Sequence, residues 1–132
     1  MTLNLFWLQA GGCGGDTWSL MNVTSPTLPL LIDALGVNLL WHPSLSSGDH
    51  VAYQSLTRSL LEGELELDIL VVEGAVIRGP GGSGAYDCSS LGPKKDLVAR
   101  LTRRALSHLG DLPRLAASPL TGLPAVQGSS PL

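Results

Sequence analysis

Three short apolar runs punctuate the chain, at residues 3–8, 37–41 and 67–72. Each is nearly continuous rather than alternating, the pattern of a strand covered on both sheet faces. The stretches between and after them carry helical spacing instead. Residues 17–21 start a helix with Asp16 or Thr17 as its N-cap. Pro26 and Pro29 interrupt the next stretch, and residues 30–35 resume a short helical turn stopped by Gly36. Between 48 and 61, Val51, Leu56, Leu60 and Leu61 form an amphipathic stripe that Gly63 closes. From Lys94 to His108 a last helix gathers Leu97, Val98, Leu101, Ala105 and Leu106 on one face. Strand–helix alternation three times over predicts an α/β fold, a parallel sheet with helices on both faces and right-handed crossovers.

The pattern also sets the domain limits. Residues 1–108 read as one domain. Residues 109–132 hold Pro113, Pro119, Pro124 and Pro131 among small and polar residues, with no strand period, and read as an irregular or disordered tail. There is no internal repeat. Composition narrows the partners. A net charge of −3 leaves no basic footprint for nucleic acid. With 44% hydrophobic and 14% charged residues, the chain is too apolar for disorder and has little charged surface, so a covering partner is expected. No apolar run reaches the ~18–20 residues that cross a bilayer. The amino-terminal residues lack a secretory signal, so a cytoplasmic location is the expectation.

Chemistry concentrates beyond the first run. Gln9 to Thr17 reads QAGGCGGDT, with four glycines around Cys13 and with Asp16 three positions later. Glycine lets a backbone approach a bound group closely, and a thiolate with a carboxylate can hold a metal. Open parallel sheets bind ligands beyond the carboxyl ends of their strands. Glu73–Gly74 and Cys88 fall at that same end if the first and third strands are neighbours. Two thiolates and a carboxylate suit zinc or iron–sulfur chemistry. Plainer roles stand beside these. A glycine loop after a strand is often a tight turn or a phosphate cradle, although this one has neither Gly-x-Gly-x-x-Gly spacing nor a following Gly-Lys-Ser/Thr. A lone cysteine is often a small buried hydrophobe. Asp16 alone suits a cap, and Glu73 alone suits a backbone group or Arg78. His42, before Pro43, reads as structural at a strand end; His50 and His108 read as solvated. Trp7, Trp18 and Trp41 read as core or interface residues.

Taken together, four blocks resemble the small subunit of nickel–iron hydrogenases. They are WLQAGGCGG at 7–15, LWHPSLS at 40–46, VVEGA at 71–75 with Arg78–Gly79–Pro80 after it, and GAYDC at 84–88 with GPKKDLV at 92–98 after it. The match is to the amino-terminal portion of that family over residues 3–108. Cys13-x-x-Asp16, where a second cysteine is usual, is similar to the actinobacterial-type, high-affinity branch. The resemblance implies a flavodoxin-like three-layer domain that holds a proximal four-iron four-sulfur cluster through Cys13, Asp16 and Cys88, with Glu73 also at the cofactor. It implies an electron-transfer component that is not catalytic by itself, docked on a hydrogenase large subunit. Any membrane association would be indirect, through the complex.

The departures are specific. Cys88 directly follows Asp87, where the branch has one residue between them. The family's fourth ligand lies in a block like Val-Gly-x-Cys. Here Leu109–Gly110–Asp111 begins such a block, Leu112 or Pro113 falls where cysteine is due, and no cysteine follows Cys88. The expected architecture is therefore truncated after the third βα unit, with an iron–sulfur cluster either incomplete or absent. A non-redox interaction module, or a remnant without a cluster, is the alternative. A nucleotide-binding flavodoxin-like domain is a third, opposed by the acid in the loop.

Overall fold

The computed structural model describes residues 2–108, so the expected tail at 109–132 lies outside the described residues. Element order is β1 (Leu3–Gln9), α1 (Gly15–Met21), α2 (Leu28–Ala34), β2 (Val37–Trp41), α3 (His50–Glu62), β3 (Ile69–Glu73), a 3-10 turn (Pro80–Gly82), β4 (Cys88–Ser89), β5 (Gly92–Pro93) and α4 (Lys94–His108). The three long strands form one parallel sheet in the order β2-β1-β3. In register, Leu5 faces Leu39 of β2 and Ile69 of β3, and Gln9 meets Glu73. This is the α/β arrangement expected from the runs, and it is consistent with the flavodoxin-like three-layer domain that the resemblance implies.

The chain moves one way along the sheet from β1 to β2, then back past β1 to β3. Right-handed crossovers in opposite directions put their helices on opposite faces. Phe6 and Leu8 point to one face and pack with Leu60 of α3, Leu97, Leu101 and Ala105 of α4, and Leu67. Trp41 and Tyr53 border this core, their ring centroids 5.1 Å apart. Leu5, Trp7 and Ile69 point to the other face, where α1 and α2 leave an apolar cavity of about 200 Å³ against the sheet. Neither of these helices buries an apolar residue fully.

Several expected details differ. The cap of α1 is Gly14, in the left-handed region at φ 78°, and not Asp16 or Thr17; both of those already lie inside the helix. Pro29 does not interrupt its segment. It occupies the first turn of α2, where the missing N–H costs nothing, so the helix begins at Leu28 rather than residue 30. Val51 is 69% exposed because it shares a helix face with Ser55, Arg58 and Glu62. Leu106 likewise follows exposed Thr102 and Arg103. The third strand starts at Ile69; Leu67 precedes it and is buried all the same. Asp49 and Gly63 bound α3 as its cap residues, Asp49 accepting from the Ala52 N–H at 2.9 Å.

Candidate cofactor site at the carboxyl end of the sheet

The strand order reverses direction between β1 and β3, and the loops that leave these two strands meet there. Such a switch point is where open α/β sheets bind ligands. The two loops are stitched together. Gly11 N–H donates to the Ala75 carbonyl at 2.8 Å, and Ala75 N–H returns a bond to Gly11 at 2.9 Å. This small antiparallel bridge explains two of the glycines. A Cβ on Gly74, which has φ 91°, would stand 2.8 Å from the Gly11 carbonyl oxygen. A Cβ on Gly11 would stand 2.7 Å from the Ile77 side chain and 2.9 Å from the Ala75 carbonyl. The glycines at these positions serve backbone-to-backbone approach, the tight-turn role that the sequence leaves open.

Glu73 lies under this bridge, 5% exposed. Its Oε1 accepts from the Thr17 N–H at 3.0 Å, and its Oε2 accepts from the Trp7 indole N–H at 2.9 Å and from the Thr17 hydroxyl. Thr17 is 3% exposed and His42 is 1% exposed. His42 Nδ1 accepts from the Ser44 N–H at 3.0 Å, which leaves the ring proton on Nε2, 3.4 Å from the Thr17 oxygen. The Ser46 hydroxyl accepts from the His42 N–H at 2.8 Å. The hydroxyl and backbone bonds from Thr17 hold the Glu73 carboxyl below its ordinary range against the opposing effect of burial; Trp7 and the neighbouring His42 add to this. Burial lowers the pKa of His42, partly offset by the Glu73 charge.

Nothing in the sequence marks Thr17 as a buried partner; its place before an apolar run suggests only a cap. Glu73 bonds a backbone group, as its plainer reading has it, together with Thr17 and Trp7 side chains. His42 is structural at the strand end, as expected. His50 is exposed, and the side chain of His108 lies outside the described residues.

The sequence-derived donors differ from this buried cluster. Cys13 and Cys88 are free and exposed, and Asp16 is exposed on the first turn of α1. Cys88 begins β4, pairs in register with Pro93, and its thiol donates to the Gly84 carbonyl at 3.2 Å. β1 and β3 are neighbours, as the convergence requires. Among the described residues, however, no group of three or more His, Cys, Asp or Glu is gathered to hold a metal ion. The donor set fits an iron–sulfur group in kind, with two thiols and one carboxylate, and the glycines keep the loop's backbone open. It is not gathered into a ready-made cage.

A second feature lies on the α1–α2 side. Trp18 is 63% exposed, and Met21, Val23, Leu30, Leu31 and Leu35 are also exposed. Residues 17–48 contain one acidic or basic residue other than His42, which is Asp33. A helix whose residues are apolar apart from one acid normally lies largely buried, and α2, with Asp33 as its one charge, buries none of its residues. Of the three tryptophans, Trp18 is therefore not in the core of this chain. Among the described residues no helix is long and apolar enough to cross a membrane.

Comparison with known proteins relates the chain to hydrogenase small subunits. Over 92 residues it is 34% identical to the F420 non-reducing hydrogenase II small subunit of Methanosarcina mazei, and 32% identical to the F420 non-reducing hydrogenase I small subunit of the same organism. Each match covers 62% of this chain and 24% of the relative, so the chain spans about a quarter of the length of the relatives it matches. No protein-family model matches. The relationship supported is to hydrogenase small subunits in general and does not extend to the actinobacterial-type branch.

Proposed function

We propose that this chain is an electron-transfer, small-subunit-like component of a nickel–iron hydrogenase, docked on a large catalytic subunit and holding a proximal iron–sulfur cluster. The observation that carries the reading is the loop of Cys13 and Asp16, which leaves β1 at the strand-order switch and is stitched to the loop after β3. Similarity to hydrogenase small subunits supports it. Cys13, Asp16 and Cys88 would hold the group. When bound, it would supply one-electron transfer between the large subunit's metal centre and an acceptor. The chain's own part is to present these donors on a loop of fixed backbone and to offer a docking face. The largely apolar side of α1 and α2, where Asp16 and Asp33 are the charged residues, supports such a face, because exposed apolar surface marks interaction sites. Asp16, in place of a second cysteine, is the sole basis for assigning the actinobacterial-type branch; the Methanosarcina relatives do not bear on that finer step. An oxygen donor there would shift the cluster's potential relative to a thiolate.

A second reading, a docking module that carries no cluster, is favoured by the absence of any gathered group of three donors among the described residues. Anaerobic purification of the full chain, with iron and sulfide assay and EPR, separates the two. Stoichiometric iron that is lost in Cys13→Ala supports electron transfer. Iron-free, colourless protein that still binds a hydrogenase large subunit would falsify it in favour of the module.

A further inference from the structure

The loop that carries Cys13 and Asp16 is held at both ends by one residue. At its entry, the Ala10 N–H donates to the main-chain carbonyl of Glu73 at 2.8 Å. At its exit, the Thr17 N–H and hydroxyl donate to the Glu73 carboxylate, the first at 3.0 Å. We propose that Glu73 is the positioning residue of the Cys13–Asp16 loop and not one of its ligands, a proposal that rests on the cluster reading above.

Three observations carry it. First, the carboxylate is already committed. It receives three donors, from Thr17 twice and from Trp7, out of the roughly four acceptor sites a carboxylate offers. The one site left is on the buried Oε1 that holds the Thr17 N–H, so a metal there would compete with the bond that closes the loop's exit. Second, burial separates it from the donors. Glu73 is 5% exposed, whereas Cys13, Asp16 and Cys88 are exposed. Third, its rotamer is fixed from several directions. Trp7 of β1 holds Oε2 at 2.9 Å, and His42, beyond the end of β2, backs the Thr17 hydroxyl at 3.4 Å. The exit of the loop is thereby referenced to all three strands. Side-chain length matters here. Aspartate, one methylene shorter, would leave its carboxylate short of the first turn of α1.

The test uses the full chain without metal and follows amide hydrogen exchange by NMR in the wild type, Glu73→Ala, Glu73→Gln and Thr17→Val. In Glu73→Ala, the hydrogen-bonded amides of Thr17 at the loop's exit and Gly11 at its entry should exchange about tenfold faster or more, the scale of a lost hydrogen bond to a charged group. Leu60 and Leu101, in the packed core, should keep wild-type protection. Glu73→Gln keeps the length and one acceptor oxygen, so it should restore most of the protection at Thr17. Thr17→Val keeps the amide and loses only the hydroxyl. It should loosen the loop by a smaller factor, and it serves if Glu73→Ala does not fold. Unchanged loop exchange in Glu73→Ala, or loop and core exchange rising in step in Thr17→Val, would overturn the proposal. A second readout follows iron. After reconstitution with iron and sulfide, Glu73→Gln should retain its iron and show an altered EPR spectrum. Loss of iron with loop exchange unchanged would make Glu73 a ligand and also overturn the proposal. Should the wild type take up no iron, the cluster reading fails, and the exchange measurements still decide whether Glu73 clamps the loop.

Discussion

Gly74→Ala tests the stitched loops most directly. Two costs arise at this position and can be separated. The backbone has φ 91°, where a residue with a Cβ is strained by about 1–2 kcal/mol. The new Cβ would also meet the Gly11 carbonyl oxygen at 2.8 Å and the Gly12 nitrogen at 3.0 Å. Both partners are backbone, so relief requires the loops to part. Parting loses the two Gly11–Ala75 hydrogen bonds, each worth about 0.5–1.5 kcal/mol net. Together these come to a loss of about 2–5 kcal/mol. Gly92 supplies the control. Its φ is 98°, and a Cβ there meets nothing within 4 Å, so Gly92→Ala carries the strain alone, about 1–2 kcal/mol. Urea unfolding followed by tryptophan fluorescence reads both variants. The expected result is a lower midpoint for Gly74→Ala than for Gly92→Ala, with a common slope. Equal midpoints would refute the reasoning, since they would mean that the close approach of the loops contributes nothing.

Two further outcomes arise from the packing and the buried charge. Leu101→Ala, in the core between α4 and the sheet, should cost about 2–5 kcal/mol, whereas Val51→Ala on the exposed face of α3 should stay within about 0.5 kcal/mol; thermal unfolding distinguishes them, and comparable losses would contradict the assigned faces. Acid should act in two stages. His42 has a native pKa below 6.5, so the unfolded state takes its proton first and stability falls as pH drops below about 6.5. Glu73 has a native pKa below 4.5, so its contribution is complete above about 4.5 and is lost as pH falls through the lower native value. Denaturant midpoints measured from pH 7.5 to 3.5 should show both declines. Glu73→Gln should flatten the lower one, and an unchanged slope there would count against the buried carboxylate as its source.

Much of this architecture could be read from single residues along the chain. The apolar runs located all three strands because parallel, doubly covered strands need no alternation. Helix α3 announced its end with Gly63, and α4 announced its buried face with Leu97, Leu101 and Ala105. Local chemistry misled where a distant side chain took over a local one's role. Gly14 holds the N-cap position of α1 without a side-chain bond, and the first-turn N–H of Thr17 is accepted by the Glu73 carboxylate instead. The buried cluster was beyond the reach of spacing rules. Thr17 and Glu73 are 56 positions apart, and they meet only because β1 and β3 pair in register. The resemblance singles out Cys13, Asp16, Cys88 and Glu73, but the bonds that tie Glu73 to Trp7 and Thr17 are visible only in the fold.

The double attachment of Glu73 separates the length of the Cys13 loop from its chemistry. Its carbonyl receives Ala10 and its carboxylate receives Thr17, so the path between these points admits a fixed number of residues. An insertion or deletion there would release one end. The identity of an exposed residue such as Asp16 is not constrained in this way. On the cluster reading proposed above, such a loop would exchange a sulfur donor for an oxygen donor without redrawing its backbone, its dimensions set from beneath and its chemistry open to substitution from above.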